Sequence, residues 1–198
     1  MLQSENKTTN FMLVGVGGQG TILASNVLAD LGLAFGLDVK KAEVHGMSQR
    51  GGSVISHLRW GQEVHSPIIA KGEVDILVAF EKLEAVRFVE YVKPDGLVLV
   101  NDYAIPPVTT VAGSVAYPSD AEIRSALGQK TKQAYWIPGV KLAKELGNVK
   151  VANVVVLGAL CSLLKSDEQA WLEAIDSRVP EKHKALNQTA FETGYRYF

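Results

Sequence analysis

An apolar run, Phe11 to Val14, feeds into Gly15-x-Gly17-x-x-Gly20, after which Leu23, Val27, Leu31 and Ala34 recur at helical spacing. A strand that turns this abruptly into a helix needs backbone positions free of a Cβ. The first glycine permits the tight turn, the second lets a ligand approach bare amides, and the third lets the helix pack closely on the strand. The helix start offers unpaired N–H groups and the positive end of its dipole, so a phosphate or carboxylate is the matching ligand. The spacing predicts a strand over Phe11 to Val14 and a helix from Gly20 to Phe35 that Gly36 ends. By itself the motif also reads as a tight turn that binds nothing.

The remaining pattern places this unit in an α/β chain. Strands are expected at Asp38 to Val44, Val54 to Trp60, Val64 to Ile69, Val74 to Phe80, Leu97 to Asn101 and Ala134 to Ile137. Val74 to Phe80 is continuously apolar, as a strand covered on both faces of a parallel sheet would be. Helices are expected at Lys82 to Tyr91, with Pro94-Asp95-Gly96 as its stop, and at Ala121 to Leu127. Four more follow, at Val140 to Leu146, Val151 to Leu164, Asp167 to Ile175 and Glu181 to Tyr197. Pro106 to Pro118 reads as loop, with room for one short strand. Alternating strands and helices imply a Rossmann-like, doubly wound, mostly parallel sheet with helices on both faces and a helical C-terminal segment. At 198 residues, with no repeat or linker, one domain is expected over 1–198, its polar first ten residues flexible.

Composition removes several function classes. A formal net charge of -1 gives no reason to expect nucleic acid or an acidic membrane as partner. The longest apolar run, Val154 to Cys161, falls far short of a bilayer span, and the cytoplasm is the expected location. One cysteine, Cys161, makes neither a disulfide, a redox pair nor a self-contained iron–sulfur cluster, and its apolar surroundings point to an inert buried thiol. His57 and His65 lack the Cys, Asp or Glu partners of a standard zinc pattern, so no metal site is expected. Gly-x-Ser-x-Gly, Ser-x-x-Lys and the P-loop lysine are absent, so no catalytic residue is assigned.

A second glycine-bearing segment carries the remaining chemistry. His45, Ser48, Gln49, Arg50, Gly51, Gly52 and Ser53 stand where a nicotinamide-binding unit would continue past its ribose-binding acid, for which Asp38 and Glu43 are the nearest candidates. Arg50 offers a planar fork and the paired glycines expose amides, a set suited to phosphate. Two such turns after successive strands of a parallel sheet would converge at one edge. The candidate site therefore comprises Gly15, Gly17, Gly18, Gln19 and Gly20 with His45 and Ser48 to Ser53. A plain turn with a solvated Arg50 and a hydrogen-bonding His45 is the bland alternative. Val151 to Leu164 is apolar nearly all round and must be covered on more than one side, with Asn153 needing a partner for its amide.

Gly15-Val-Gly-Gly-Gln-Gly20, Glu43-Val-His-Gly-Met-Ser-Gln-Arg-Gly-Gly-Ser53, Ser56-His-Leu-Arg-Trp-Gly61 and Ser66-Pro-Ile-Ile69 recur here in a characteristic order. Lys93-Pro-Asp-Gly96, Val100-Asn101, Ala143-x-Glu-Leu-Gly-Asn148 and Asn153-Val-Val-Val-Leu-Gly-Ala159 continue the series. Together they resemble the gamma-type domain of the 2-oxoacid:ferredoxin oxidoreductases. The resemblance implies oxidative decarboxylation of a 2-oxo acid such as indolepyruvate on thiamine diphosphate. Electrons would pass through iron–sulfur clusters to ferredoxin, and coenzyme A would take the acyl group. No Gly-Asp-Gly…Asn-Asn motif is present, so thiamine diphosphate and the clusters are expected on a partner alpha subunit, with this chain inactive alone. On our own reading of the residues, Gly17, Gly18, Gln19 and Gly20 are expected to offer amides to an anion, while Ser48, Gln49, Arg50 and Ser53 hold a phosphate or order the partner interface. A homodimer of the isolated chain, an autonomous NAD(P)-dependent oxidoreductase and a non-catalytic scaffold remain open at this point.

Overall fold

A computed structural model describes residues 8–45, 51–107, 110, 113 and 116–198, with the side chain of His45 outside the description. Thr9–Val16 (β1), Asp38–His45 (β2), Ser53–Gly61 (β3), Val74–Ala79 (β4), Val92–Asn101 (β5) and Gln133–Ile137 (β6) form one sheet in the order β2-β3-β1-β4-β5-β6. β1, β4, β5 and β6 run parallel. β3 is antiparallel to both of its neighbours, β1 and β2. The helices are Thr21–Ala34 (α1), Lys82–Phe88 (α2), Asp120–Gly128 (α3), Gly139–Glu145 (α4), Ala152–Leu164 (α5), Glu168–Asp176 (α6) and Glu181–Tyr195 (α7). The fold is the expected α/β arrangement with a mostly parallel sheet.

The alternation of side chains along β1 divides the core. Phe11 and Leu13 face α1, α5, α6 and α7, whereas Met12 and Val14 face α2 and α3. Both sets are fully buried. Local capping fixes where the helices begin. The Ser119 and Glu122 side chains close a capping box on α3, and the Asp167 carboxylate accepts from the Gln169 amide at α6.

Several boundaries depart from the sequence pattern. β1 starts at Thr9, inside the stretch expected to be flexible, because the Asn10 amide donates to Asp75 Oδ2 at 2.9 Å and its side chain accepts from Arg59. The first seven residues of that stretch lie outside the described residues. Val64 to Ile69 is not a strand. It lies over β3 instead, held by Ile69 N donating to His57 Nδ1 at 3.3 Å and by Arg59 donating to the Ser66 carbonyl at 3.0 Å. His65 points into solvent from this segment, away from any pairing with His57. Pro94-Asp95-Gly96 does not stop a helix but lies within β5, at the irregularity where pairing with β4 shifts. A Cβ at Gly96 would stand 2.6 Å from Val92 Cγ1, so the bulge needs glycine there.

α5 is the central helix, buried from Asn153 to Cys161. α7 covers it at very short range: a Cβ at Gly158 would meet the Phe191 carbonyl oxygen at 2.0 Å, and one at Gly194 would meet that of Val155 at 1.9 Å. Cys161 is buried in this layer, where burial pushes its thiol pKa up to about 12, with Glu168 and Asp167 adding to the shift. Among the described residues no helix is long and apolar enough to cross a membrane.

Candidate functional site at the crevice between β1 and β4

The chain leaves β1 through α1 toward β2, and leaves β4 through α2 toward β5 on the opposite face of the sheet. The connections diverge between the carboxyl ends of β1 and β4, and the crevice so formed is where an open α/β sheet takes a ligand. The glycine turn lies at this point. Gly18 and Gly20 hold positive φ of 101° and 80°, which only residues lacking a Cβ adopt without strain. Gly20 also has no room for a side chain, since its Cβ would fall 2.4 Å from Asn153 Nδ2. The amide of Asn153, left without a partner by the sequence, donates to the Gly20 carbonyl at 3.4 Å, and its oxygen accepts from the Val154 amide.

Gln19 is a clamp. Its Oε1 accepts from the Val16 amide at 2.7 Å, and its Nε2 donates to the Phe80 carbonyl at 2.8 Å. The Phe80 carbonyl also accepts from Asn101 Nδ2 at 3.1 Å, and Asn101 Oδ1 accepts from the Gly139 amide at 2.9 Å. The Gln19 side chain from the glycine turn and the Asn101 side chain from the end of β5 thus tie the ends of β1, β4 and β5 to the start of α4.

The expectation that Gly17, Gly18, Gln19 and Gly20 all offer amides needs correction. The Gly17 amide donates to the Gly52 carbonyl at 2.8 Å, and the Gln19 amide to that of Val16 at 3.1 Å. Among the described residues, the amides of Gly18 and Gly20 have no such acceptor. Gly15 serves packing, because a Cβ there would stand 2.8 Å from Thr21 Oγ1 and 3.1 Å from Phe80 Cβ.

The two glycine-bearing segments do meet, for a reason other than the expected parallel order. β3 returns antiparallel beside β1, so Ser53 pairs with Val16 and the Gly51-Gly52 entry to β3 lies at the carboxyl end of β1. His45 ends β2 opposite Val54, and Gly51 takes a positive φ of 81°. Ser48, Gln49 and Arg50 lie outside the described residues. The Ser53 hydroxyl is already committed, donating to the Glu84 carboxylate. It therefore does not donate to a phosphate in this arrangement.

Sequence reasoning missed the acidic residues behind the crevice. Glu81 is 1 % exposed; its Oε2 accepts from the Glu84 amide at 2.9 Å, and its Oε1 accepts from the Ile105 amide and the Tyr117 hydroxyl. Burial, reinforced by that bond to Glu81, raises the Tyr117 pKa well above its usual value. Lys82 bonds Asp120 at 2.6 Å and lies 3.4 Å from Asp102. Glu-Lys-x-Glu after an apolar strand was the available signal, but alternating charges of that kind usually mark a solvated helix face.

Topology sets Asp38 away from the crevice as a candidate ribose-binding acid, and Glu43, on the same strand, accepts from Lys41 Nζ at 2.6 Å. β2 is the edge strand, separated from β1 by β3, and Asp38 sits opposite Gly61 at the far end of the sheet. Hydrogen bonds from Lys40 and from the Val64 amide hold the Asp38 carboxyl below its usual pKa. Nor do the residues present fit an iron–sulfur cluster, because the one cysteine is the buried Cys161 of α5.

The family model of pyruvate ferredoxin/flavodoxin oxidoreductase matches residues 10–197. Indolepyruvate oxidoreductase subunit IorB of Thermococcus kodakarensis is 38% identical over 193 residues, 96% of each chain. The gamma subunit of a keto/oxoacid ferredoxin oxidoreductase from Geobacter sulfurreducens superposes with a TM-score of 0.69 at 25% identity, covering 95% of this chain and 96% of that one. The 2-oxoglutarate:ferredoxin oxidoreductase of Magnetococcus marinus shares the fold at a TM-score of 0.74 and 22% identity, over 97% of this chain but 31% of the other. The same fold is thus nearly a whole chain in one solved structure and part of a longer polypeptide in another. By the near-complete span of the family match and of its relatives, the chain belongs to the pyruvate ferredoxin/flavodoxin oxidoreductase family.

Proposed function

We propose that the chain is the cluster-free subunit of a cytoplasmic, thiamine-diphosphate-dependent indolepyruvate:ferredoxin oxidoreductase, working with an alpha subunit that holds thiamine diphosphate and the iron–sulfur clusters. Two observations support this reading: the full-length likeness to IorB, and a crevice where the glycine turn and the β2–β3 connection are joined by the Gly17–Gly52 bond. The crevice observation carries the binding role.

Held by the partner, thiamine diphosphate would supply the electron sink for the decarboxylation. This chain binds and orients coenzyme A for the acyl transfer that follows. The Gly18 and Gly20 amides and the positive end of α1 receive anionic oxygens. Arg50, with Ser48 and Gln49 beside it in sequence, grips a phosphate through its guanidinium fork. Gln19 fixes the turn without touching the ligand. No acid, base or nucleophile is assigned here.

The test is reconstitution with the alpha subunit. Either chain alone turns over no indolepyruvate, and together they reduce ferredoxin. Arg50→Ala costs about 1.5–3 kcal/mol of coenzyme A binding, read as a KM raised about 10- to 150-fold with indolepyruvate KM unchanged. An unchanged coenzyme A dependence refutes the assignment. The NAD(P) alternative requires saturable nicotinamide binding to the isolated chain, which the edge position of β2 disfavours.

A further inference from the structure

We propose that Glu84 is a positioning residue for coenzyme A use: acting through Ser53, it sets the backbone junction that shapes the crevice. The inference rests on the functional reading above and assigns a role to a residue outside both glycine segments.

Glu84 is 2 % exposed and both its oxygens are committed. Oε2 accepts from the Ser53 hydroxyl, and Oε1 pairs with Arg87 Nη1 at 2.5 Å. Burying a carboxylate is costly, and an apolar side chain of similar size would fill the same space at less expense. What a carboxylate adds is direction: it reaches from the first turn of α2 to the first residue of β3. Its own backbone is fixed, because the Glu84 amide donates to Glu81 Oε2 at 2.9 Å. Glu81 is fixed in turn by Ile105 and Tyr117.

The consequence passes through one residue of chain. Ser53 follows Gly52, whose carbonyl accepts the Gly17 amide at 2.8 Å. A displacement of Ser53 therefore moves the atom that holds the glycine turn against β3. Misplacement by about an ångström at a binding site is enough to cost much of its effectiveness. Arg87 has a separate part, balancing the Glu84 charge so that it does not oppose an anionic ligand nearby.

The experiment uses the reconstituted complex with Glu84→Ala, Glu84→Gln, Ser53→Ala and the Glu84→Ala/Ser53→Ala double variant. Glu84→Ala and Ser53→Ala should each raise the coenzyme A KM about tenfold, with kcat within about twofold of wild type. The double variant should be no worse than the larger single effect, since both remove one strut. Glu84→Gln keeps an acceptor for Ser53 and should recover most of the loss. Hydrogen exchange at the Gly17 amide should quicken in both alanine variants while amides in α5 keep their protection. Additive KM increments, or an unchanged KM in Glu84→Ala while Arg50→Ala raises it, would overturn the role of Glu84 and leave the functional reading standing. If neither Arg50→Ala nor Glu84→Ala moves the KM, the functional reading falls and takes this inference with it. Should Glu84→Ala not accumulate in folded form, Ser53→Ala against Glu84→Gln carries the test.

Discussion

Two contacts of α5 put the same residue type to different use. At its first turn, Asn153 lies against Gly20, in a turn of positive φ where the Gly18 and Gly20 amides have no backbone acceptor among the described residues. In its middle, Gly158 lies against the backbone of α7, and Gly194 answers from the other helix. There the missing side chains let two helices approach until carbonyl oxygens fill the space, and nothing remains open. The first contact spends close packing on presenting polar backbone, the second on excluding water. A glycine in the sequence does not say which, because what decides is whether a partner element covers it.

The comparison breaks most decisively at the helix pair. A Cβ at Gly194 would stand 1.9 Å from the Val155 oxygen, which as backbone cannot swing aside. Gly194→Ala should cost about 3 kcal/mol or more, a Tm lowered by about 6–12 °C, with the coenzyme A KM of the surviving complex unchanged. A variant as stable as wild type would mean that the helices part easily.

Gln19 sharpens the other side. Gln19→Ala leaves the Val16 amide without its acceptor and should cost about 1–3 kcal/mol by urea unfolding. Gln19→Glu keeps that acceptor but sets a carboxylate oxygen against the Phe80 carbonyl, so it should do no better. Both should raise the coenzyme A KM, which Gly194→Ala does not. If Gln19→Glu were neutral, the clamp would depend on the Val16 bond alone.

The smallest effect concerns a motif residue outside both contacts. Burial lowers the pKa of His57 from 6.5, and its Nδ1 accepts from the Ile69 amide. The native state then binds fewer protons than the unfolded chain. Its contribution is complete above pH 6.5 and declines as pH falls from there through the lowered folded value. Folding stability should show this acid-side decline, and His57→Gln should flatten it. An unaltered pH profile in that variant would place the titrating group elsewhere.

The bond from the Ile69 amide to His57 also accounts for part of the segment Ser56-His57-Leu58-Arg59. His57 and Arg59 hold the 62–69 segment over the sheet. Their pattern was legible, but their purpose was not, because an alternating strand gives no sign of which loop will lie on it. Val64 to Ile69 failed as a strand for a related reason. Val64 and Ile69 are buried while Ile68 is exposed, and the bonds to His57 and Arg59 lay the segment over β3 rather than along the open edge of β2.

Local chemistry was enough to determine the glycine turn, the first helix, the apolar parallel strands and the burial of Cys161. Each follows from a backbone preference or from apolar periodicity within a few residues, and such signals survive without knowledge of neighbours. The antiparallel return of β3, the edge position of β2, the loss of the Gly17 and Gln19 amides to internal bonds and the Glu81–Glu84–Ser53 network came only with the tertiary structure. Each of those joins residues far apart in the chain, and which distant donor meets which acceptor is settled by strand order and packing.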